Sequence, residues 1–196
     1  MKHNTAATTQ ERIKHSAQTL FAERGFWGTS VQEIADKAEV NKAMLFYYFK
    51  SKENLYFSII EEIFSAIIVR LEEKMKEKST PPDRLMVVLT LYGELYSDSA
   101  HFDTFRILMQ DIMGPGERVR DKLRGHVMKV LNAIAEVIRE GVALKVFKEV
   151  DPYLSALSIL GMLYIFARHR LIFGLKLREE EVVKHLYTTI LEGIKR

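Results

Sequence analysis

Apolar residues recur along most of this chain at spacings of three and four, the repeat of one helix face, and no segment alternates as a half-buried strand would. Ile13, Ala17, Leu20 and Phe21 form the first stripe. Thr8 and Glu11 precede it with the spacing of a capping box, and Gly25 supplies a stop. A second box, Ser30 and Glu33, opens a helix of about two turns with Val31, Ile34, Ala35 and Ala38 on one face. A third helix starts at Asn41, a good N-cap, and ends near Phe49. Ser51 then caps a long helix, about 52–77, with Leu55, Ile59, Ile63, Ile67, Leu71 and Met75 close to four apart.

Two prolines in the stretch 79–83 break the pattern, because proline removes a helical donor and crowds the preceding turn. Beyond them the spacing predicts helices at about 83–98, 101–113, 117–143, 151–173 and 179–195, with breaks at 114–116 and 147–152. The fold class is all-α. Three short helices form a head, residues 1–52, and a bundle of longer helices forms a body, residues 53–196.

One segment violates the stripe rule. Met44, Leu45, Phe46, Tyr47, Tyr48 and Phe49 are consecutive, so a helix there carries large apolar groups on every face. Leu20, Phe21, Ile34, Ala35, Ala38, Val40, Leu45 and Phe49 suffice for a small core of three helices. Lys42, Ala43, Met44, Phe46 and Tyr47 are left facing outward. Two short capped helices joined by a tight turn, the second with an outward reading face, describe a helix-turn-helix. An α-helix fits the major groove of B-DNA, where apolar side chains meet thymine methyl groups. Lys42 suits a guanine edge or a phosphate, and Lys52, at a helix start, suits a phosphate.

Charge changes the picture modestly. The net charge is +3, and residues 1–52 carry all of it, with 8 Lys/Arg against 5 Asp/Glu, while the remainder is balanced at 21 of each. A basic end of this kind is the footprint of contact with a polyanion. The chain has no cysteine, which excludes disulfides and thiolate chemistry. No apolar leader precedes the first helix, and the uncharged run 152–167 is shorter than the roughly 20 residues of a membrane span. The expectation is a cytoplasmic protein without membrane contact.

The stretch GTSVQEIADKAEVNKAMLFYYFKSKENL, residues 28–55, resembles the DNA-binding domain of TetR-family transcriptional regulators. The resemblance implies a homodimer on a two-fold-related, double-stranded DNA operator, with a body that binds a small-molecule effector and forms the dimer interface. It implies that Ser30 and Lys52 contact phosphate and that Lys42, Ala43, Met44, Phe46, Tyr47 and Tyr48 meet bases and backbone. Tyr48 fills a slot that more often holds His. Phe46 stands where the family usually has a Tyr whose hydroxyl reaches a phosphate, a contact that Tyr47 would have to replace. Glu39 stands where Gly is common, so any positive φ in the turn is strained.

In the body, Tyr92, Tyr96, Phe102, Phe105, Met109, Met113 and Phe166 are candidates to line an apolar cavity for a small hydrophobic or amphipathic effector. His126 and His169 are candidates to orient its polar group. The same residues at helical spacing also suit an ordinary core. Trp27 is expected to be a wedge between the first helix and the body. Leu157, Leu160, Gly161, Tyr164, Arg168 and Leu171, with Leu186 and Ile190 of the last helix, are candidates for a four-helix dimer interface.

Rival functions fare worse. The histidines lack metal-pair spacing, and no phosphate loop, nucleophile elbow or zinc-protease motif occurs, so neither enzyme, metal nor cofactor is expected. A helical interaction module that does not read DNA is the main alternative. Repression and activation are not distinguishable from the residues.

Overall fold

The computed structural model describes residues 8–97, 106–107, 117–174 and 178–194. Among them are eight α-helices and no β-strand: α1 (Thr9–Arg24), α2 (Val31–Lys37), α3 (Lys42–Phe49), α4 (Lys52–Lys76), α5 (Pro81–Ser97), α6 (Glu117–Ala143), α7 (Pro152–Phe173) and α8 (Glu179–Tyr187). The helix expected at 101–113 lies outside the described residues apart from 106 and 107. The last helix continues past Tyr187 through Thr188–Glu192 as a π-helical turn. No helix among the described residues is long and apolar enough to cross a membrane.

One boundary corrects the sequence reading. Pro81 and Pro82 begin α5 rather than preceding it. Proline suits a first helical turn, where its missing N–H had no intrahelical partner anyway. Thr80 supplies the cap, its Oγ1 accepting the Asp83 N–H at 3.3 Å.

The head is held by a small core of Ile13, Ala17, Leu20 and Phe21 from α1, Ile34 and Ala35 from α2, and Leu45 and Phe49 from α3. The first turns of α4 belong to the same core, since Leu55, Tyr56 and Ile59 are buried against α1. Phe21, Phe26 and Tyr56 form an aromatic cluster at its centre, with ring centroids 5.0 to 5.9 Å apart. Further along, Ile63, Leu71 and Met75 of the same helix are buried against the body, where α4 packs on α5 and α6. One 25-residue helix therefore runs from one core into the other.

In the body, α6 packs on α7, and α5 lies between α6 and α8. Arg84 of α5 grips both carboxylate oxygens of Glu140 on α6, at 2.5 and 3.1 Å. Arg70 and Lys74 of α4 share Glu94 of α5 at 2.6 and 3.0 Å. Half-exposed pairs such as these are worth at most about 1 kcal/mol each, so they orient the helices rather than hold them together.

Candidate nucleic-acid interface

The site begins with two helix caps. Ser30 Oγ accepts the Glu33 N–H at 3.2 Å, and Glu33 Oε2 accepts the Ser30 N–H at 2.8 Å. That backbone donor, with the Ser30 hydroxyl and Arg24 assisting, holds the Glu33 carboxyl below its ordinary pKa. Asn41 Oδ1 caps α3 by accepting the Met44 N–H at 2.9 Å.

Between these helices the chain reverses through Glu39. Val40 N–H reaches the Ala35 carbonyl at 3.0 Å, and Glu39 N–H reaches that of Asp36 at 3.1 Å. This is the paired bonding of a Schellman turn, which places its turning residue in the left-handed region. Glu39 indeed sits at φ 54. The turn keeps its shape, and the glutamate bears the strain.

α3 then divides as its sequence implied. Leu45 and Phe49 are buried, Met44 is half-buried, and Lys42, Ala43, Phe46, Tyr47 and Tyr48 are exposed. Tyr47 is 68% exposed, and its ring meets that of Tyr48 edge-on at 5.1 Å. Lys50, at φ 67, ends the helix and donates from Nζ to the Tyr47 carbonyl at 3.0 Å.

Lys52 is engaged within its own chain. Its Nζ donates to the carbonyls of Phe26 at 2.9 Å and Thr29 at 2.8 Å, and lies 4.1 Å from the centre of the Phe26 ring. Burial lowers its pKa, with Glu53 opposing. Two of its three donors are spent on the protein, so it fastens the α1–α2 loop to the start of α4. The buried Thr29 fastens the same loop from the other side, its Oγ1 donating to the carbonyls of Gly25 at 2.9 Å and Leu20 at 3.2 Å. Gly28 is required here, because a Cβ would stand 2.3 Å from the Arg24 carbonyl oxygen. Sequence reasoning missed Phe26 and Thr29, whose bonds to Lys52 run through their carbonyls.

Trp27 departs from expectation. It is no wedge against the body but 78% exposed, with its ring edge-on to Phe26 at 5.1 Å.

The body candidates are spread over several helices. Tyr92 is buried in α5; the side chain of Tyr96, and all of Phe102, Phe105, Met109 and Met113, lie outside the described residues. The His126 ring stacks on Phe64 of α4 at 5.3 Å, and Phe166 lies 5.9 Å from the His185 ring of α8. His169 lies 5.0 Å from the Phe173 ring, with its Nδ1 buried and, among the described residues, lacking a hydrogen-bond partner. A groove of about 340 Å³ between α1 and α4, lined in part by Glu11, Lys14, His15 and Glu62, is a separate feature at the joint between head and body. No group of three potential metal ligands occurs among the described residues.

Of the interface candidates, Leu157 and Gly161 are exposed, and Leu160, Tyr164 and Arg168 are half-buried. The Leu171 side chain lies outside the described residues. Leu186 and Ile190 are corrected: both are buried in the chain's own core, where the last helical segment meets α5. Sequence reasoning missed Leu154, Ile165 and Ile172, which continue the exposed face of Leu157 and Gly161 along α7. Ala156, Ile159, Leu163 and Ala167 occupy the opposite, buried face. A helix apolar all round gives no phase from its pattern, so only packing could say which side stays open.

Residues 13–59 match the family model described as bacterial regulatory proteins, tetR family. The chain is 29% identical over 134 residues to "Probable HTH-type transcriptional regulator YttP" of Bacillus subtilis strain 168, a match spanning 68% of this chain and 65% of that relative. It is 28% identical to the "Fatty acid metabolism regulator protein" of the same organism, over 76% of this chain and 77% of that one. Its fold matches that of AibR in complex with isovaleryl coenzyme A and operator DNA, with a TM-score of 0.82 at 20% identity, covering 94% of this chain and 98% of that one.

Proposed function

We propose, for a chain that belongs to the tetR family of helix-turn-helix transcriptional regulators, that it represses genes from a two-fold-symmetric operator and is released by a small acyl-type effector. The observation that carries the DNA half is the face of α3. Phe46, Tyr47 and Tyr48 are exposed there beside Lys42, on a helix fixed by its caps and its Schellman turn. Water is a poor neighbour for such a face, whereas thymine methyls, base edges and phosphates suit it. Lys42 takes a guanine edge or a phosphate, Ser30 donates to a phosphate, and the Tyr47 hydroxyl supplies the contact that Phe46 lacks.

Two heads reading one operator require a dimer. The stripe Leu154, Leu157, Gly161, Ile165 and Ile172 supplies a self-complementary apolar face for it. Gly161 supports this use. A Cβ built there meets nothing within 4 Å, so nothing inside the protomer needs the glycine. A mid-helix glycine costs about 1 kcal/mol relative to alanine, which close approach by a partner helix explains.

The effector half rests on the body. Head and effector-binding body divide near residue 52, and α4 joins them. Residues Tyr92, His126 and Phe166, with the buried His169 Nδ1, suit a ligand that is apolar along its length and polar at one end. An acyl thioester has that character, and the fatty acid metabolism relative and the isovaleryl coenzyme A complex support the class. Coupling runs through α4. Lys52 hooks its first residue to the α1–α2 loop, and Glu62 pairs with Lys14 of α1 at 2.7 Å. A ligand that favours a tilted α4 therefore carries both heads out of register, provided it binds that state better than the DNA-bound one.

The test is release. A labelled operator duplex bound by the protein is titrated with acyl-coenzyme A thioesters of increasing chain length, with free coenzyme A as control. Release that depends on the acyl chain supports the reading; indifference to every chain length contradicts the effector class.

A further inference from the structure

Trp27 is the only tryptophan in the chain and the most exposed large apolar side chain among the described residues, at 78%. Its backbone is nevertheless held on both sides. Lys52 Nζ binds the carbonyls of Phe26 and Thr29, the neighbours that flank the Trp27-Gly28 pair. Thr29 is tied back to α1, and Gly28 lies tight against the Arg24 carbonyl. An indole presented to solvent on a fastened loop is already ordered for a partner, so little conformational entropy is lost when one arrives.

The position of the loop says which partner. It ends at Ser30, the cap of α2, and Lys52 joins it to the turn that follows the recognition helix. Trp27 thus sits on a loop tied at one end to the cap of α2 and, through Lys52, to the residues that follow α3. Resting on the DNA-binding reading above, we propose that Trp27 lies on the sugar–phosphate backbone flanking the base pairs read by α3. Its ring covers a deoxyribose, and its Nε1–H donates to a phosphate oxygen. Such a contact positions the head on the duplex without reading sequence. The donor is neutral, so it adds affinity without displacing a counterion.

Because Trp27 is the sole tryptophan, its emission reports this contact directly. The full-length protein is titrated with a 30-base-pair random-sequence duplex at low salt and with a duplex selected from the same pool. Tryptophan emission and the anisotropy of a fluorescein-labelled duplex are followed together. The expected result is an emission change that saturates with the anisotropy. Trp27→Ala should weaken binding about tenfold, the scale of one lost hydrogen bond with its packing, on both duplexes and with an unchanged salt slope. Trp27→Phe, keeping the ring without the donor, should fall between.

Anisotropy that rises while emission stays constant overturns the proposal and leaves the DNA-binding reading intact. So does unchanged affinity in Trp27→Ala, or loss on the selected duplex alone, which would make Trp27 a reader of bases. A changed oligomeric state in Trp27→Ala, seen by sedimentation, would assign the indole to a second copy of the chain instead. Absence of any duplex binding by the wild type removes the underlying reading and this proposal with it. The side chain is exposed, so both variants should fold, which circular dichroism verifies.

Discussion

Lys52 Nζ donates to the Thr29 carbonyl oxygen at 2.8 Å, joining the first residue of α4 to the residue just before the α2 cap. With the companion bond to Phe26 O, this makes Lys52 a positioning residue of the head. Charge-assisted hydrogen bonds are each worth about 1.5–3 kcal/mol, less where solvent screens them. Lys52→Ala should therefore lower stability to urea by roughly 1–3 kcal/mol. It should weaken binding to all duplexes but leave the salt slope near that of the wild type. A slope reduced by about one, as a direct phosphate contact requires, would restore the role its sequence suggested.

Glu39 holds φ 54 at the turn between α2 and α3. A left-handed conformation costs a non-glycine residue about 1–2 kcal/mol, partly offset by the greater freedom glycine has when unfolded. Glu39→Gly should thus stabilise the chain by about 1 kcal/mol in chemical denaturation. A destabilised variant would mean that the Glu39 side chain makes a contribution larger than the strain it bears.

The capping boxes make a pH prediction. Glu11 and Glu33 have lowered pKa values, chiefly because each accepts the N–H of its own cap residue, Thr8 or Ser30. A carboxylate with a lowered folded pKa stabilises fully above its unfolded value and loses that contribution as pH falls through the folded one. The head should therefore lose stability as pH drops below the ordinary glutamate range. Glu33→Gln, which still accepts in a capping box but does not titrate, should flatten that loss with little change at neutral pH. An equally steep acid limb in the variant would place its origin elsewhere.

The stripe on α7 predicts a point of dissociation. Ile165 is 59% exposed in the protomer, so Ile165→Glu should change the thermal stability of an isolated chain by less than about 0.5 kcal/mol. Placed between two copies, the buried charge would be unpaired and should yield a monomer in sedimentation, with much weaker operator binding. A variant that stays dimeric would remove α7 from the interface.

Much of this molecule was legible before its structure. Thr8, Ser30, Asn41 and Ser51 marked helix starts because capping is local chemistry, readable within four residues. The open face of α3 was legible because a run of six large apolar residues cannot all be buried. The bonds of Lys52 and the exposure of Trp27 were not foreseen, for a shared reason. Lys52 bonds to carbonyls 23 and 26 residues earlier, and Trp27 is exposed because nothing packs over its loop; neither fact is encoded by local spacing. Leu186 and Ile190 were assigned to the interface because an apolar stripe does not say whether its own chain or a second copy covers it.

The most direct test of the account is selection of binding sequences from random duplex DNA by the purified full-length protein, followed by titration of the winner at several salt concentrations. The account predicts an inverted repeat, with half-sites about one helical turn apart or a multiple of it, and affinity that falls steeply with salt. Lys42→Ala should relax the preference within each half-site. Recovery of no common sequence, with weak binding at moderate salt, would contradict it and leave the head as a scaffold for contacts with other helices.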